Sequence, residues 1–415
     1  TTVEAEGSRP ERAILVGLEN SGPYDTLAEL GELARTAGAN VVGRFTQKKA
    51  GADNATYIGS GKAEELSLKG SELEADLFIF DDELTAVQSR NLEEILGARV
   101  IDRTALILDI FAQRATSREG KLQVELAQQK YRLPRLLGQG TVLSRLGGGI
   151  GTRGPGEKKL EIDRRRIKRR IFELSEELDE IEKQRSLRRA RREKNSTPVV
   201  ALVGYTNAGK STLLNALTDA SVLAEDMLFA TLDPVVRQAE LPNGTEVLIS
   251  DTVGFINKLP HDLVEAFRST LEEAANADLI LHVVDRSSPY YESQMAVVED
   301  VLSKLGALDI PRINVYNKCD LTGERTPNDG VFISAAKGTG IDELLEQIES
   351  RINSGRLEVD VVVPYDKYEA MNVIRAEGRI LKEDHQGDGA HLKIQINETA
   401  LWKLKRMLGE GYGQN

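Results

Sequence analysis

Five apolar residues, Val199 to Val203, lead directly into Gly204-Tyr205-Thr206-Asn207-Ala208-Gly209-Lys210-Ser211. An uninterrupted apolar run suits a buried strand, and the segment behind it fits the phosphate-binding pattern G-x-x-x-x-G-K-[ST]. In such a loop, glycines let successive backbone N–H groups wrap an anion, and the following helix aims its positive N-terminal end at it. Strand, glycine loop and helix in this order commit this part of the chain to an α/β layer with a parallel sheet. The same chemistry predicts Lys210 on the β and γ phosphates of a nucleotide and Ser211 on magnesium, with Thr212 beside them in the first helical turn.

Three later segments extend the site, each behind a strand-like run. Asp251-Thr252-Val253-Gly254 follows Glu246 to Ser250; Asp251 is expected to hold magnesium through water, and the Gly254 amide to sense the γ phosphate. Asn317-Lys318-Cys319-Asp320 ends the strand Arg312 to Tyr316, and a carboxylate at Asp320 can accept both the ring N–H and the exocyclic amine of guanine. Adenine offers an acceptor where guanine offers that N–H, and a mismatched buried polar group costs about 1–3 kcal/mol, so GTP or GDP is expected over ATP. Ser334-Ala335-Ala336-Lys337 follows Val331 to Ile333 and should bring backbone N–H groups to the guanine carbonyl.

Phe229-Ala230-Thr231-Leu232-Asp233-Pro234 lies between the phosphate loop and Asp251. A mobile loop here would close the Thr231 hydroxyl onto magnesium when the γ phosphate is present, with Phe229 alongside the nucleotide. Lys210, Thr231 and Gly254 are therefore the expected catalytic groups. Many GTPases place a water-orienting glutamine directly after the D-x-x-G element, but Phe255 stands there. Its ring offers water no hydrogen bond, so the chain alone should hydrolyse slowly. Asn207 has two open readings, a loop-stabilising side chain or a ligand for potassium beside the phosphates.

Around this unit the chain divides by pattern. A length of 415 residues predicts two or three domains of about 100 to 200 residues. Apolar runs such as Leu77-Phe78-Ile79-Phe80 alternate with helix-like segments such as Tyr24 to Ala37 and Leu84 to Leu96, giving a small mainly parallel α/β domain over 1–115. The charged stretch 116–196 reads as two long helices joined by the glycine-rich segment Gly138 to Gly156. On the second helix, Leu160, Ile167, Ile171, Leu174, Leu178 and Ile181 form one apolar stripe that should pack around Leu122 and Leu126. The nucleotide domain is expected over 197–355 and a small α+β domain over 356–415, with a helix near Tyr365 to Glu377, an alternating run His391 to Ile396 and a last helix Thr399 to Leu408.

Bulk properties set outer limits. No stretch approaches the roughly 20 apolar residues of a membrane span. Thr1 to Arg12 lacks the apolar core of a secretory signal. The single Cys319 suits a reducing cytoplasm; peripheral attachment to a membrane is left open, and a monomer is expected when the protein is free. A net charge of -12 argues against indiscriminate nucleic-acid binding, since phosphate affinity follows local cationic density. Arg164-Arg165-Arg166, Lys168-Arg169-Arg170, Arg188-Arg189 and Arg191-Arg192 concentrate that density on one helix and read as RNA-backbone contacts. The alternative is a solvated helix on which they pair with Glu173, Glu176, Glu177 and Glu180.

The nucleotide motifs, with Leu228 to Pro234, Phe255 and Leu259-Pro260-His261-Asp262-Leu263, resemble the HflX family of translation-factor-class GTPases in the Obg-HflX superfamily. Val100 to Gln113, Glu119-Gly120-Lys121-Leu122-Gln123-Val124-Glu125-Leu126-Ala127 and Gly148 to Gly156 resemble it as well, and are more specific to it than the GTPase motifs. The resemblance implies an α/β chain in which a P-loop GTPase domain follows an N-terminal α/β subdomain and a long helical hairpin and precedes a small α+β C-terminal domain. It further implies a GTP hydrolase that binds the large ribosomal subunit and separates stalled or idle ribosomes under stress. The glycine-rich loop would contact ribosomal RNA near the peptidyl-transferase centre through Gly148 and Gly149, with Arg145 and Arg153 as phosphate partners.

Two other functions fit parts of the sequence. A guanine-nucleotide switch acting on a protein partner needs neither the basic helix nor the glycine-rich loop. An RNA-remodelling ATPase would need a second phosphate loop, and Gly59-Ser60-Gly61-Lys62 lacks the full spacing.

Overall fold

The computed structural model describes residues 9–19, 25–49, 51–145, 155–193, 197–218, 228–229, 232–233, 235–260, 263, 274–322, 330–353 and 356–408. The first unit runs β1 (Arg12–Leu18), α1 (Thr26–Thr36), β2 (Asn40–Gln47), α2 (Ser60–Glu72), β3 (Leu77–Phe80), α3 (Ala86–Leu96), β4 (Arg99–Asp102) and α4 (Arg103–Arg114). Its sheet is parallel throughout, in the order β2-β1-β3-β4. The period-2 alternation of side chains splits the core across the sheet. Ala13, Leu15, Leu77 and Ile79 pack with α1 and α4, while Ile14, Val16, Phe78 and Phe80 pack with α2 and α3. Helix starts are marked by side-chain caps: Asp25 accepts from the Ala28 amide, Asp102 from the Ala105 amide, and Thr85 with Gln88 forms a capping box.

Strand order reverses between β1 and β3. Just past the carboxyl end of β3 lie Asp81 and Asp82, at the crevice where open α/β sheets usually take a ligand. Here the crevice receives a side chain from elsewhere in the chain, Lys258, whose Nζ lies 2.5 Å from both carboxylates.

Two helices follow, α5 (Arg118–Arg145) and α6 (Pro155–Glu193). The expected stripe pairing is present, with Leu122, Leu126 and Leu174 at its centre and Ile171, Leu178 and Ile181 against them. Arg170 grips Glu125 with two hydrogen bonds of 2.7 and 2.8 Å, and Arg185 reaches Glu119 at 3.0 Å, fixing the antiparallel register. α5 is longer than the glycine content predicts: it passes through Pro134, Gly138 and Gly140 to Arg145. Its middle is anchored to the first unit, where Tyr131 Oη donates to Asp102 at 2.8 Å and Arg135 bonds Asp102 and the Leu84 carbonyl.

The second α/β unit contains β5 (Val199–Gly204), α7 (Lys210–Leu217), β6 (Val235–Glu240), β7 (Glu246–Asp251), β8 (Leu279–Asp285), α8 (Tyr291–Lys304), β9 (Arg312–Asn317), β10 (Gly330–Phe332) and α9 (Ile341–Asn353). Its sheet order is β10-β9-β8-β5-β7-β6, with β6 the antiparallel edge. One apolar core runs unbroken from the first unit into this one, joining Phe111 and Ile107 to Phe229, Leu232, Val253 and Phe255.

The last unit is β11 (Arg356–Val363), α10 (Glu369–Glu377), β12 (Gly378–Gln386), β13 (Gly389–Asn397) and α11 (Glu398–Leu408), an antiparallel sheet in the order β11-β13-β12. The helix expected from Tyr365 divides into a short 3-10 turn, Tyr365–Lys367, and α10. β12 was not expected, because Gly378–Gln386 is an edge strand without apolar alternation. Among the described residues, no helix is long and apolar enough to cross a membrane.

Candidate nucleotide-binding site

Four loops at the carboxyl ends of β5, β7, β9 and β10 converge. The phosphate loop leaves β5 at Gly204, where any Cβ would collide with the Val283 carbonyl. Asn207 and Gly209 then take positive φ, 59° and 90°, and Gly209 caps α7. This left-handed turn is what points successive amides inward, and at Gly209 only glycine fits, since a Cβ would strike Asn317 Nδ2.

Asn317 binds three of the loops together. Its Nδ2 donates to the Ala208 carbonyl at 2.9 Å, and its Oδ1 accepts from the Ala335 amide at 3.0 Å. Lys318, with φ 63°, donates to the Asn207 carbonyl at 2.8 Å and to Asp285 at 2.7 Å. Asp320 stands beyond them beside Lys337, 3.2 Å away. The Ser334 hydroxyl, then Lys337, holds the Asp320 carboxyl below its ordinary range, so it is ionised and able to accept two donors. Ser334 and Ala335 are buried next to this loop, and Ala336 is exposed at its rim.

On the phosphate side, Ser211 Oγ donates to Asp251 Oδ2 at 2.7 Å, in a pocket where Asp251 is fully buried. Lys210 is buried too, and its Nζ lies over the loop at 3.2 Å from the Gly204 carbonyl and 3.0 Å from that of Tyr205. Burial lowers its pKa to about 8, against the opposing pull of Asp251. A Cβ at Gly254 would meet Thr206 Cγ2 at 2.8 Å, Thr206 Cα at 2.9 Å and Lys210 Nζ at 3.0 Å, so the backbone of Gly254 borders the lysine directly. The loop after β7 is also zipped to the phosphate loop: the Thr206 amide donates to the Phe255 carbonyl at 2.7 Å, and the Phe255 amide to the Gly204 carbonyl at 3.1 Å. Thr206 and Ala208 are buried within the loop, and Thr212 is half-buried in the first turn of α7.

Ser211 and Asp251 supply paired hard oxygens, a donor set that suits magnesium, which needs only one or two protein oxygens when phosphates and water complete its shell. Among the described residues, no group of three His, Cys, Asp or Glu side chains is arranged for a metal.

Phe255, in the water-orienting position, is 1% exposed and packs with Val253, Leu259 and Leu263 toward Phe111 and Phe229. Its ring faces the first unit rather than the phosphates. Thr231 lies outside the described residues, as do Gly148, Gly149 and Arg153; α5 ends at Arg145, whose side chain also lies outside them. Phe229 is buried and meets Phe111 edge-on, with ring centroids 4.7 Å apart. Of the cations expected to touch RNA, Arg164, Arg165, Arg166, Lys168 and Arg169 are exposed or half-exposed along α6. Arg165 pairs with Glu161 at 3.1 Å, and Arg170 is held by Glu125 and, at 3.6 Å, by Glu173.

The motifs do not disclose how the site is fastened to the first unit. Tyr205, inside the phosphate loop, donates its hydroxyl to Glu29 of α1 and accepts from the Asn257 amide at 2.7 Å. Glu29 pairs with Arg103, whose Nη1 donates to Asp81 at 2.8 Å, and Asp81 pairs with Lys258. The chain Tyr205, Glu29, Arg103, Asp81, Lys258 thus starts and ends in nucleotide loops. An arginine opening an otherwise apolar helix, Arg103 before Ala105-Leu106-Ile107-Leu108, was the available signal.

Comparison with known proteins accounts for nearly the whole chain. Family models match residues 24–112 (GTP-binding GTPase N-terminal), 114–192 (GTP-binding GTPase middle region), 199–318 (50S ribosome-binding GTPase) and 323–415 (HflX C-terminal domain). The GTPase HflX of Caldanaerobacter subterraneus subsp. tengcongensis is 58% identical over 403 residues, 96% of this chain and 94% of that protein. GTPase HflX of Escherichia coli is 43% identical over 354 residues, 83% of each chain. A crystal structure of a GTP-binding protein from Sulfolobus solfataricus in complex with GDP aligns with TM-score 0.44 at 25% identity, over 83% of this chain and 99% of that one. With matches to each successive segment and a relative this close over almost the full length, the chain belongs to the HflX family of GTPases, enzymes that hydrolyse GTP.

Proposed function

We propose that this GTPase binds the large ribosomal subunit in its GTP form and separates stalled or idle ribosomes, with hydrolysis resetting it for release. The observation that carries the reading is α6, whose Arg164, Arg165, Arg166, Lys168 and Arg169 present cations outward on a hairpin joined to the nucleotide unit. RNA backbone is the polyanion such density suits. The family description of the nucleotide segment as a 50S ribosome-binding GTPase supports the same partner, and that partner implies a cytoplasmic location. The glycine-rich loop with Arg145, Gly148, Gly149 and Arg153 is assigned the contact with ribosomal RNA near the peptidyl-transferase centre.

In the site, backbone amides from Gly204 to Ser211 cradle the phosphates, Lys210 meets the β and γ oxygens, and Asp320 selects guanine. Ser211, Thr231 and Asp251 are the residues that would hold magnesium, which when bound neutralises charge on the β and γ oxygens. Gly254 reports the γ phosphate through its amide. Asn207 is assigned to potassium beside the phosphates, and GTP turnover identical in potassium and sodium would remove that assignment. Because RNA affinity is biased by the last phosphate, binding energy does the mechanical work.

Sedimentation of intact ribosomes with the protein and a non-hydrolysable GTP analogue tests the reading. Co-migration with the large subunit and loss of intact ribosomes is expected, both absent with GDP. Absence of association in every nucleotide state refutes it.

A further inference from the structure

Phe255 stands where many GTPases carry the glutamine that orients water, and its ring turns away into the core shared with the first unit. Its backbone stays in the phosphate site and holds Thr206. The Thr206 amide donates to the Phe255 carbonyl at 2.7 Å, and Tyr205 and Phe255 form a parallel bridge. Thr206 is 7% exposed. A Cβ built on Gly254 would lie 2.8 Å from Thr206 Cγ2 and 3.0 Å from Lys210 Nζ, so the threonine side chain and the lysine ammonium flank one point beside Gly254. Lys210 and Gly254 are the groups assigned to the γ phosphate, which puts Thr206 at that end of the nucleotide rather than beneath the base.

The Thr206 hydroxyl is buried and has no hydrogen-bond partner among the described residues. Neighbouring hydroxyls are engaged within the protein: that of Tyr205 with Glu29, that of Ser211 with Asp251 at 2.7 Å, and that of Thr252 with the Leu202 carbonyl at 2.7 Å. A buried hydroxyl without a partner costs stability, and its presence calls for a role other than packing. The fastening of Thr206 to Phe255 does not provide one, because it runs through the amide, which valine would retain at the same side-chain shape. Hydroxyl and methyl share one Cβ, and a single χ1 step exchanges them, so the oxygen can take the place that the methyl holds against Gly254.

We infer that Thr206 is a catalytic residue of GTP hydrolysis: its hydroxyl oxygen accepts a hydrogen bond from the attacking water and supplies the orientation that Phe255 cannot. The water oxygen bonds the γ phosphorus, the bond to the β–γ bridging oxygen breaks with its electron pair going to GDP, and the water's proton ends on the released phosphate. Thr206 keeps its own proton throughout. One hydroxyl holds water less firmly than an amide that both accepts and donates, which agrees with slow turnover by the chain alone. The inference rests on the reading of Lys210 and Gly254 as the groups that meet the γ phosphate.

Single-turnover hydrolysis at saturating GTP, with titrations of GDP, a non-hydrolysable GTP analogue and GDP plus aluminium fluoride, tests it in the full chain without ribosomes. Thr206→Val should lower the hydrolysis rate by about 10- to 100-fold, the worth of one hydrogen bond to a charged group. It should weaken GDP plus aluminium fluoride, which mimics the transferring phosphoryl group, by a comparable factor. Affinities for GDP and for the GTP analogue should not change. Thr206→Ser, which keeps the hydroxyl, should retain most of the rate. A Thr206→Val rate within about threefold of the unmodified protein, less than one such bond is worth, overturns the inference, as does a serine variant as slow as the valine one. Loss of GDP affinity in Thr206→Val overturns it too, because the hydroxyl then serves the loop and not the chemistry. Lys210→Ala separates the two levels of the argument: if GDP and the analogue still bind it with unchanged affinity, the reading of the phosphate site itself fails, and the role of Thr206 with it.

Discussion

Replacing Arg103 with methionine removes the centre of the polar chain between the first unit and the nucleotide loops. Arg103 is 2% exposed, Glu29 9% and Asp81 1%. Deleting one partner of a buried ion pair costs about 3–5 kcal/mol, because the other partner is left charged and dry. Asp81 retains Lys258, and Glu29 retains the Tyr205 hydroxyl, which places the loss near about 3 kcal/mol, the lower end of that range. For a unit of about 100 residues this corresponds to a fall of about 12 °C in the melting temperature of the first unit. The pH dependence has a definite sign. Burial, opposed by Lys258, raises the Asp81 pKa, so the folded state keeps this proton to higher pH than the unfolded chain, and stability drops as pH climbs through that window. Without Arg103, which donates to Asp81 at 2.8 Å, the window widens for Asp81. The deficit of Arg103→Met should therefore be full at pH 7.5 and shrink toward pH 5, leaving chiefly lost packing below the unfolded carboxylate values of about 4. Scanning calorimetry at both pH values, with Arg103→Lys as the charge-keeping control that lacks the two-pronged geometry, measures this. A deficit below about 3 °C at pH 7.5, or one that is equal at both pH values, refutes the reasoning.

Asp320→Asn should weaken GDP binding by about 10- to 100-fold through loss of charge-assisted bonds to guanine, while xanthosine diphosphate, whose carbonyl oxygen in place of guanine's exocyclic amine accepts from the new amide, gains; competition titration reads both. Leu174→Ala empties the centre of the small core between α5 and α6, where a fully buried leucine is worth about 2–5 kcal/mol; limited proteolysis should show the hairpin opening while GDP affinity holds. Charge reversal of Arg164, Arg165 and Arg166 together should weaken ribosome binding and flatten its salt dependence, leaving GTP affinity unchanged; normal ribosome affinity would return that cluster to solvent.

The nucleotide cradle was legible because its chemistry is contiguous: each loop carries its donors within four or eight residues and follows an apolar strand of its own. Parallel topology in the first unit and the pairing of Leu174 with Leu122 and Leu126 came from periodicity. β12 escaped because its described side chains from Leu381 to Gln386 are exposed on both faces, so the segment carries no apolar alternation. The length of α5 escaped because Gly138 and Gly140 mark a break by propensity, yet the helix continues through both to Arg145. The fastening of the site was illegible for a different reason. Glu29, Arg103, Asp81 and Lys258 lie far apart in the chain, and no local pattern distinguishes an interfacial charge from a solvated one. Phe255, whose ring offers water no hydrogen bond, gave no hint in the sequence that it belongs to a core shared between units.

Lys258 lies between Asp81 and Asp82 at the point where the first sheet reverses its strand order. In a free-standing domain of this build, that cleft is where a guest would be received. Here host and tenant are parts of one chain, so a small molecule that sought those two carboxylates would have to evict the segment just behind Gly254. Occupancy of the cleft by such a molecule and the ion pairs of Lys258 with Asp81 and Asp82 are mutually exclusive.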